Sequence, residues 1–149
     1  MKTLGRHLIA EFYKCNADTL NDRELIEKLM SQAAVEMGAT IVGVTFHHFS
    51  PQGVSGSVVI AESHLSIHTW PESGYVAVDI FTCGGLNPRH GFQLLGAGLE
   101  AQSARFQEIV RGLPEDTANL SELHPLMPSD IDIITKEAEE IPLTPPSVA

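Results

Sequence analysis

The 149-residue chain is 43% apolar and carries a formal net charge of −10, so it is long enough for one domain with its own core. No apolar run approaches the roughly 20 residues that span a bilayer, and no basic stripe is offered to a nucleic acid. Neither a membrane nor a nucleic acid is therefore expected as a partner.

In chain order, Leu4 to Cys15 reads as a first strand, with Leu8, Ala10 and Phe12 on one face and Ile9, Glu11 and Tyr13 on the other. Asn21 with Glu24 three residues on reads as a capping box. Leu25, Ile26, Leu29, Ala33 and Met37 then recur at helical spacing, and Gly38 suits the helix end. Thr40 to Phe49 is a β-branched and aromatic strand, and Ser50-Pro51-Gln52-Gly53 is a turn. Further strands are expected at Val54–Ala61, His64–Trp70 and Tyr75–Phe81. Pro88 can open a second helix through Phe92, Leu95, Leu99 and Ala101, and 105–110 reads as a last strand.

This order predicts an α+β fold: a two-layer α/β sandwich with a mainly antiparallel sheet and helices on one face. Val, Ile and Phe occur on both sides of several strands, so the second sheet face also needs cover. Pairing across a homodimer, giving αββα layers, or a larger homo-oligomer is expected. Residues 1–111 hold 11 acids and 8 bases, whereas residues 112–149 hold 8 acids and one base, Lys136. The second stretch also has six prolines from Gly112 onward. It reads as an acidic extension beyond a domain at 1–111.

The N-terminal residues show no apolar stretch followed by a small-residue cleavage site, so a cytoplasmic protein is expected. In that reducing compartment Cys15 and Cys83 are expected as thiols. His47, His48, His64 and His68 invite a metal reading. Adjacent histidines on a strand point to opposite faces, however, and His64 and His68 would lie about 13 Å apart at strand rise. No metal is expected.

The most informative segment is Glu62-Ser63-His64-Leu65-Ser66-Ile67-His68-Thr69-Trp70-Pro71-Glu72, with Cys83 downstream. It holds hydroxyl, imidazole and carboxylate groups on strands, which fix position well. Together with Leu4-Gly5-Arg6-His7-Leu8, Glu11, the pair Ser55-Gly56, and Asp79-Ile80-Phe81-Thr82-Cys83-Gly84, this segment resembles the short prokaryotic S-adenosylmethionine decarboxylase proenzymes. The resemblance is close over residues 1–85 and fainter through Pro88 and Arg111-Gly112.

The resemblance implies self-cleavage between Glu62 and Ser63, giving a β chain 1–62 and an α chain 63–149. The Ser63 hydroxyl would attack the preceding carbonyl, and elimination would leave a pyruvoyl group that engages the substrate amine as a Schiff base. By the same resemblance His68 is the processing base and Ser55 assists it. Cys83 is the proton donor in decarboxylation, Glu72 holds the ribose and Phe49 stacks on adenine. The substrate implied is S-adenosylmethionine, whose decarboxylated form serves polyamine synthesis.

The chemistry agrees with the composition. Removing CO2 from an amino acid leaves a carbanion that needs an electron sink, which no standard side chain supplies. Lys2, Lys14 and Lys28 are the only lysines of residues 1–111, and none is suitably set to hold pyridoxal phosphate. A carbonyl built from Ser63 fills that gap. A serine needs a base to act as nucleophile. His68 lies five residues on, too far along one strand for contact unless the chain folds back. Two alternatives stay open at this point: a pyruvoyl-dependent arginine or ornithine decarboxylase, and a non-catalytic regulatory homologue.

Overall fold

The computed structural model describes residues 4–61 and 63–112. Nine elements follow one another: β1 (Gly5–Tyr13), α1 (Ala17–Leu20), α2 (Arg23–Glu36), β2 (Ile41–His48), β3 (Val54–Ile60), β4 (Ser63–Trp70), β5 (Tyr75–Cys83), α3 (Pro88–Gly98) and β6 (Ser103–Arg111). A short 3-10 turn, Pro71–Ser73, joins β4 to β5. The chain divides into two units, Met1–Leu113 and Pro114–Ala149. The acidic extension expected after residue 112 lies outside the described residues.

The strands form one six-stranded sheet in the order β2-β3-β4-β5-β1-β6. Every neighbouring pair is antiparallel. The run β2 to β5 is built from sequential neighbours, which short turns can join. β1 inserts between β5 and β6, a pairing that no local signal announces.

Alternation along the strands decides the layering. On β1, Leu8, Ala10 and Phe12 are buried, and on β4 so are Leu65, Ile67 and Thr69. Ile26, Met30 and Ala33 of α2 and Leu95 of α3 are buried with them in one core. Fully burying a side chain of this size contributes about 1.5–3 kcal/mol. A one-residue slip of any strand would turn its whole apolar set outward, so the register is strongly specified. The two long helices approach closely: a Cβ on Gly98 would collide with the Leu29 side chain.

Helix boundaries differ from the expected ones. The α2 cap is Asp22, whose Oδ1 accepts from Leu25 N at 3.0 Å, not Asn21. The Asn21 amide oxygen is committed elsewhere, accepting from Gly53 N at 3.0 Å and bonding His48 Nε2 at 2.8 Å. Helix α1 was not anticipated. Its four residues are too few to show a period, and it is held by Asn16 Oδ1, which accepts from Asp18 N and Thr19 N. Gly38 ends α2 as expected, with φ +87°, a conformation that favours glycine.

The fold class expected from the pattern is the one observed, with helices on a single sheet face. Among the described residues nothing covers the other face. It carries Ile9, Val59 and Trp70, which are 39%, 46% and 40% exposed.

Candidate active site

The structure places the expected site residues in two groups. The first is at the start of β4. The β3–β4 hairpin pairs Ile60 with Ser63, so the connection is a tight one. Glu62 itself lies outside the described residues. The Ser63 hydroxyl donates to Cys83 Sγ at 3.2 Å. Cys83 ends β5 and is half-buried. Strand pairing thus brings together two groups twenty residues apart in sequence.

The second group lies along the other half of β3 and β4. Ser55 pairs with His68 across the two strands, and Ser55 Oγ and His68 Nδ1 share a hydrogen bond of 2.8 Å. A cleft of about 330 Å³ opens here, lined by Phe49, Gln52, Ser55, His68, Thr69, Trp70 and Glu72. Four residues named from the sequence therefore share one depression. Glu72, on the 3-10 turn, accepts from Gln52 Nε2 at 3.2 Å.

Two lining residues were not anticipated. Thr69 is buried; its hydroxyl accepts from Val54 N at 2.8 Å and donates to the Leu20 carbonyl at 2.7 Å. It thereby ties α1, β3 and β4 together beneath the cleft. A threonine at a buried parity position between His68 and Trp70 was the signal available for it. Gln52, in a turn, offered none.

The two groups do not meet within one chain. β4 runs unbroken from Ser63 to Trp70, and five residues at strand rise span about 16 Å. The chain does not fold back to bring His68 onto Ser63. Alternation also sets His68 on the open sheet face, with His64, Ser66 and Trp70, opposite the buried Leu65 and Ile67.

A cross-strand row with four polar residues crosses that open face. Ser55, His68, Ala77, Glu11 and Arg105 are successive cross-strand neighbours. Glu11 is gripped by three donors: Tyr13 Oη at 2.6 Å, Arg105 Nε at 2.6 Å and Tyr75 Oη at 3.0 Å. The Tyr13 bond first, then those from Arg105 and Tyr75, hold the Glu11 carboxyl down at about 2. One row on, Asp79 bonds His7 Nε2 at 3.0 Å and accepts from Ser66 Oγ at 3.1 Å.

The Glu11 cluster has a pH signature. Its folded pKa lies below the usual carboxylate value of 4.5, so the stabilisation is fully present above that value and is lost as pH falls through about 2. The stability gap between wild type and Glu11→Gln should be constant above pH 4.5 and should close between pH 4.5 and 2. Chemical denaturation across that range measures it; a gap that stays constant down to pH 2 contradicts the assignment.

Among the described residues, no cluster of three or more His, Cys, Asp or Glu is arranged to hold a metal ion, and no helix is long and apolar enough to cross a membrane.

Comparison with known proteins fits this geometry. The family model for S-adenosylmethionine decarboxylase matches residues 6–112. The S-adenosylmethionine decarboxylase proenzyme of Thermotoga petrophila is 54% identical over 126 residues, covering 78% of this chain and 95% of that protein. That of Thermosipho melanesiensis is 52% identical over 130 residues, covering 83% and 100%. The crystal structure of the adenosylmethionine decarboxylase from Aquifex aeolicus superposes with a TM-score of 0.71 at 34% identity, over 80% of this chain and 99% of that one.

Proposed function

The chain belongs to the S-adenosylmethionine decarboxylase family, and from that premise we propose that it is made as a proenzyme, cuts itself before Ser63, and works through a pyruvoyl group formed there. The reaction releases CO2 from S-adenosylmethionine, and its product is the aminopropyl donor for polyamine synthesis. We assign it to the cytoplasm. The observation that carries the reading is Ser63 at the mouth of a tight hairpin, with its hydroxyl 3.2 Å from the Cys83 thiol.

The residues present fit such a group. Ser63 has an oxygen nucleophile next to the Glu62–Ser63 peptide bond, and the hairpin leaves that bond at the end of the sheet, where a cut opens no ladder. A pyruvoyl carbonyl supplies the electron sink that decarboxylation needs. Cys83 stands on the adjacent strand, within reach of the atoms that residue 63 would present to a substrate. Its role is to deliver a proton to the substrate Cα once CO2 has left. In the cleft, Glu72 suits the ribose hydroxyls as an acceptor, already oriented by Gln52. Phe49 is 42% exposed at the cleft's rim, which suits stacking on adenine. The domain that does this is residues 1–111, with 112–149 as an extension beyond it.

We assign His68 and Ser55 to processing, and the distance along β4 favours their acting on the opposite copy. Two chains stacked open face to open face would cover Ile9, Val59 and Trp70. In such a pair each copy's cleft would serve the other's Ser63 and Cys83. The working unit is thus a homodimer of cleaved protomers, in which each site draws on both.

Intact-mass measurement of the purified protein tests the reading. Two fragments, 1–62 and a pyruvoyl-blocked 63–149, are expected, and a single uncleaved chain would overturn it. Turnover assays on S-adenosylmethionine, arginine and ornithine test the substrate. A co-expression experiment tests the shared site. Ser63→Ala and His68→Ala should each stay uncleaved alone. Made together, the His68→Ala chain should be cut, because a Ser63→Ala neighbour lends its histidine. No cleavage in the mixture would place the base in the same chain as its serine.

A further inference from the structure

Trp70 forms one wall of the cleft, yet it is 40% exposed. On the β3 side, the register that sets Ser55 opposite His68 places Gly53, which has no side chain, opposite Trp70. On the β5 side its cross-strand partner is Tyr75, with ring centroids 5.2 Å apart and planes inclined by 32°. Aromatic pairs at such spacing attract each other beyond the area they bury. Tyr75 is therefore the lateral support of this wall.

Tyr75 is in turn held at its far end. Its hydroxyl donates to Glu11 Oε1 at 3.0 Å, and Glu11 Oε2 accepts from Tyr13 Oη and Arg105 Nε, each at 2.6 Å. The Tyr13 ring lies against the Tyr75 ring, with centroids 5.5 Å apart, and the Arg105 guanidinium lies over Tyr13 at 5.6 Å. These contacts run without a break from β6 through β1 and β5 to Trp70 on β4. The Arg105 side chain is exposed, and an ion pair so placed adds little to folding stability. What the cluster supplies is geometry: with its face and its hydroxyl both engaged, the Tyr75 ring keeps one orientation.

We propose that Tyr75 and Glu11 are positioning residues for substrate binding: they brace Trp70, so that the cleft has its shape before the nucleoside arrives. The proposal rests on the cleft being the nucleoside site, as read above. Neither residue lines the cleft; both act through Trp70. A side chain already ordered in the free protein loses no rotamer freedom on binding, whereas an unbraced tryptophan must be ordered by the substrate. The effect of losing the brace falls on KM and not on kcat, because the groups proposed to do the chemistry, at residues 63 and 83, are untouched.

Trp70 is the only tryptophan of the chain, so the tryptophan emission of the full-length purified protein reports on this wall. Tyr75→Phe keeps the ring and removes the hydroxyl. Without substrate its emission should shift and be quenched more readily by acrylamide. KM for S-adenosylmethionine should rise by roughly two- to tenfold, the worth of one hydrogen bond, with cleavage and kcat at the wild-type level. Glu11→Gln keeps an acceptor for Tyr75 and should fall between wild type and Glu11→Ala in both readouts. Arg89→Gln breaks an exposed ion pair with Glu108 elsewhere and should change neither. Emission and quenching in Tyr75→Phe identical to wild type overturn the proposal, and so does an unchanged KM. Emission is read without substrate and on the uncleaved Ser63→Ala chain as well, so failure here is distinguishable from failure of the pyruvoyl reading.

Discussion

Ser63→Ala is expected to yield one intact chain with no decarboxylase activity above background. Without the hydroxyl, the peptide bond after Glu62 has no internal nucleophile, and no carbonyl forms at residue 63. No side chain nearby can substitute as an electron sink. The loss is the whole enzymatic acceleration, at least about 10⁶-fold. The fold should survive, because the hydrogen bond to Cys83 that the variant gives up is worth only about 0.5–1.5 kcal/mol. Intact mass, CO2 release from carboxyl-labelled substrate and a melting curve check the three parts. Turnover by a well-folded, uncleaved Ser63→Ala protein would end the pyruvoyl account.

Cys83→Ala separates the two chemistries. Cleavage should still go forward, since the processing histidine and serine are left in place. Decarboxylation should slow by about 10²–10⁴-fold, the usual worth of a positioned general acid, with KM little changed because the residues proposed to hold the nucleoside, Glu72 and Phe49, are left in place. Cys15→Ala is the control. Cys15 is also a thiol, but it is buried at 8% exposure and desolvation pushes its pKa up. Its loss should lower stability and leave turnover unchanged. If Cys83→Ala keeps wild-type turnover, the proton comes from another group.

Much of this was legible in the chain. Alternation marked β1, β-branched and aromatic runs between turn residues marked the other strands, and the apolar repeat in α2 marked the main helix, because burial on one face imposes such patterns whatever the partner. The buried parity of β1 was readable for the same reason. Helix α1 was not, since its stability comes from the Asn16 cap and from packing. The α2 cap moved by one residue because Asn21 is held by Gly53 and His48, contacts that bridge distant sequence. At the site, the individual residue types were legible as a motif, but their grouping was not. Phe49, Ser55, His68 and Glu72 come together only because β3 and β4 pair with Ser55 opposite His68.

The sequence by itself determined the alternation that makes this a one-sided sheet, and it placed a hydroxyl, an imidazole and a thiol on strands rather than loops. These are local properties, written in spacing. Tertiary structure decided which of those groups touch. Antiparallel register set Ser63 against Cys83 and left His68 about 16 Å along a straight strand. It also left one sheet face uncovered among the described residues. Pairing register and strand order are non-local, set by which apolar faces can be buried together, so no window of sequence could have revealed them.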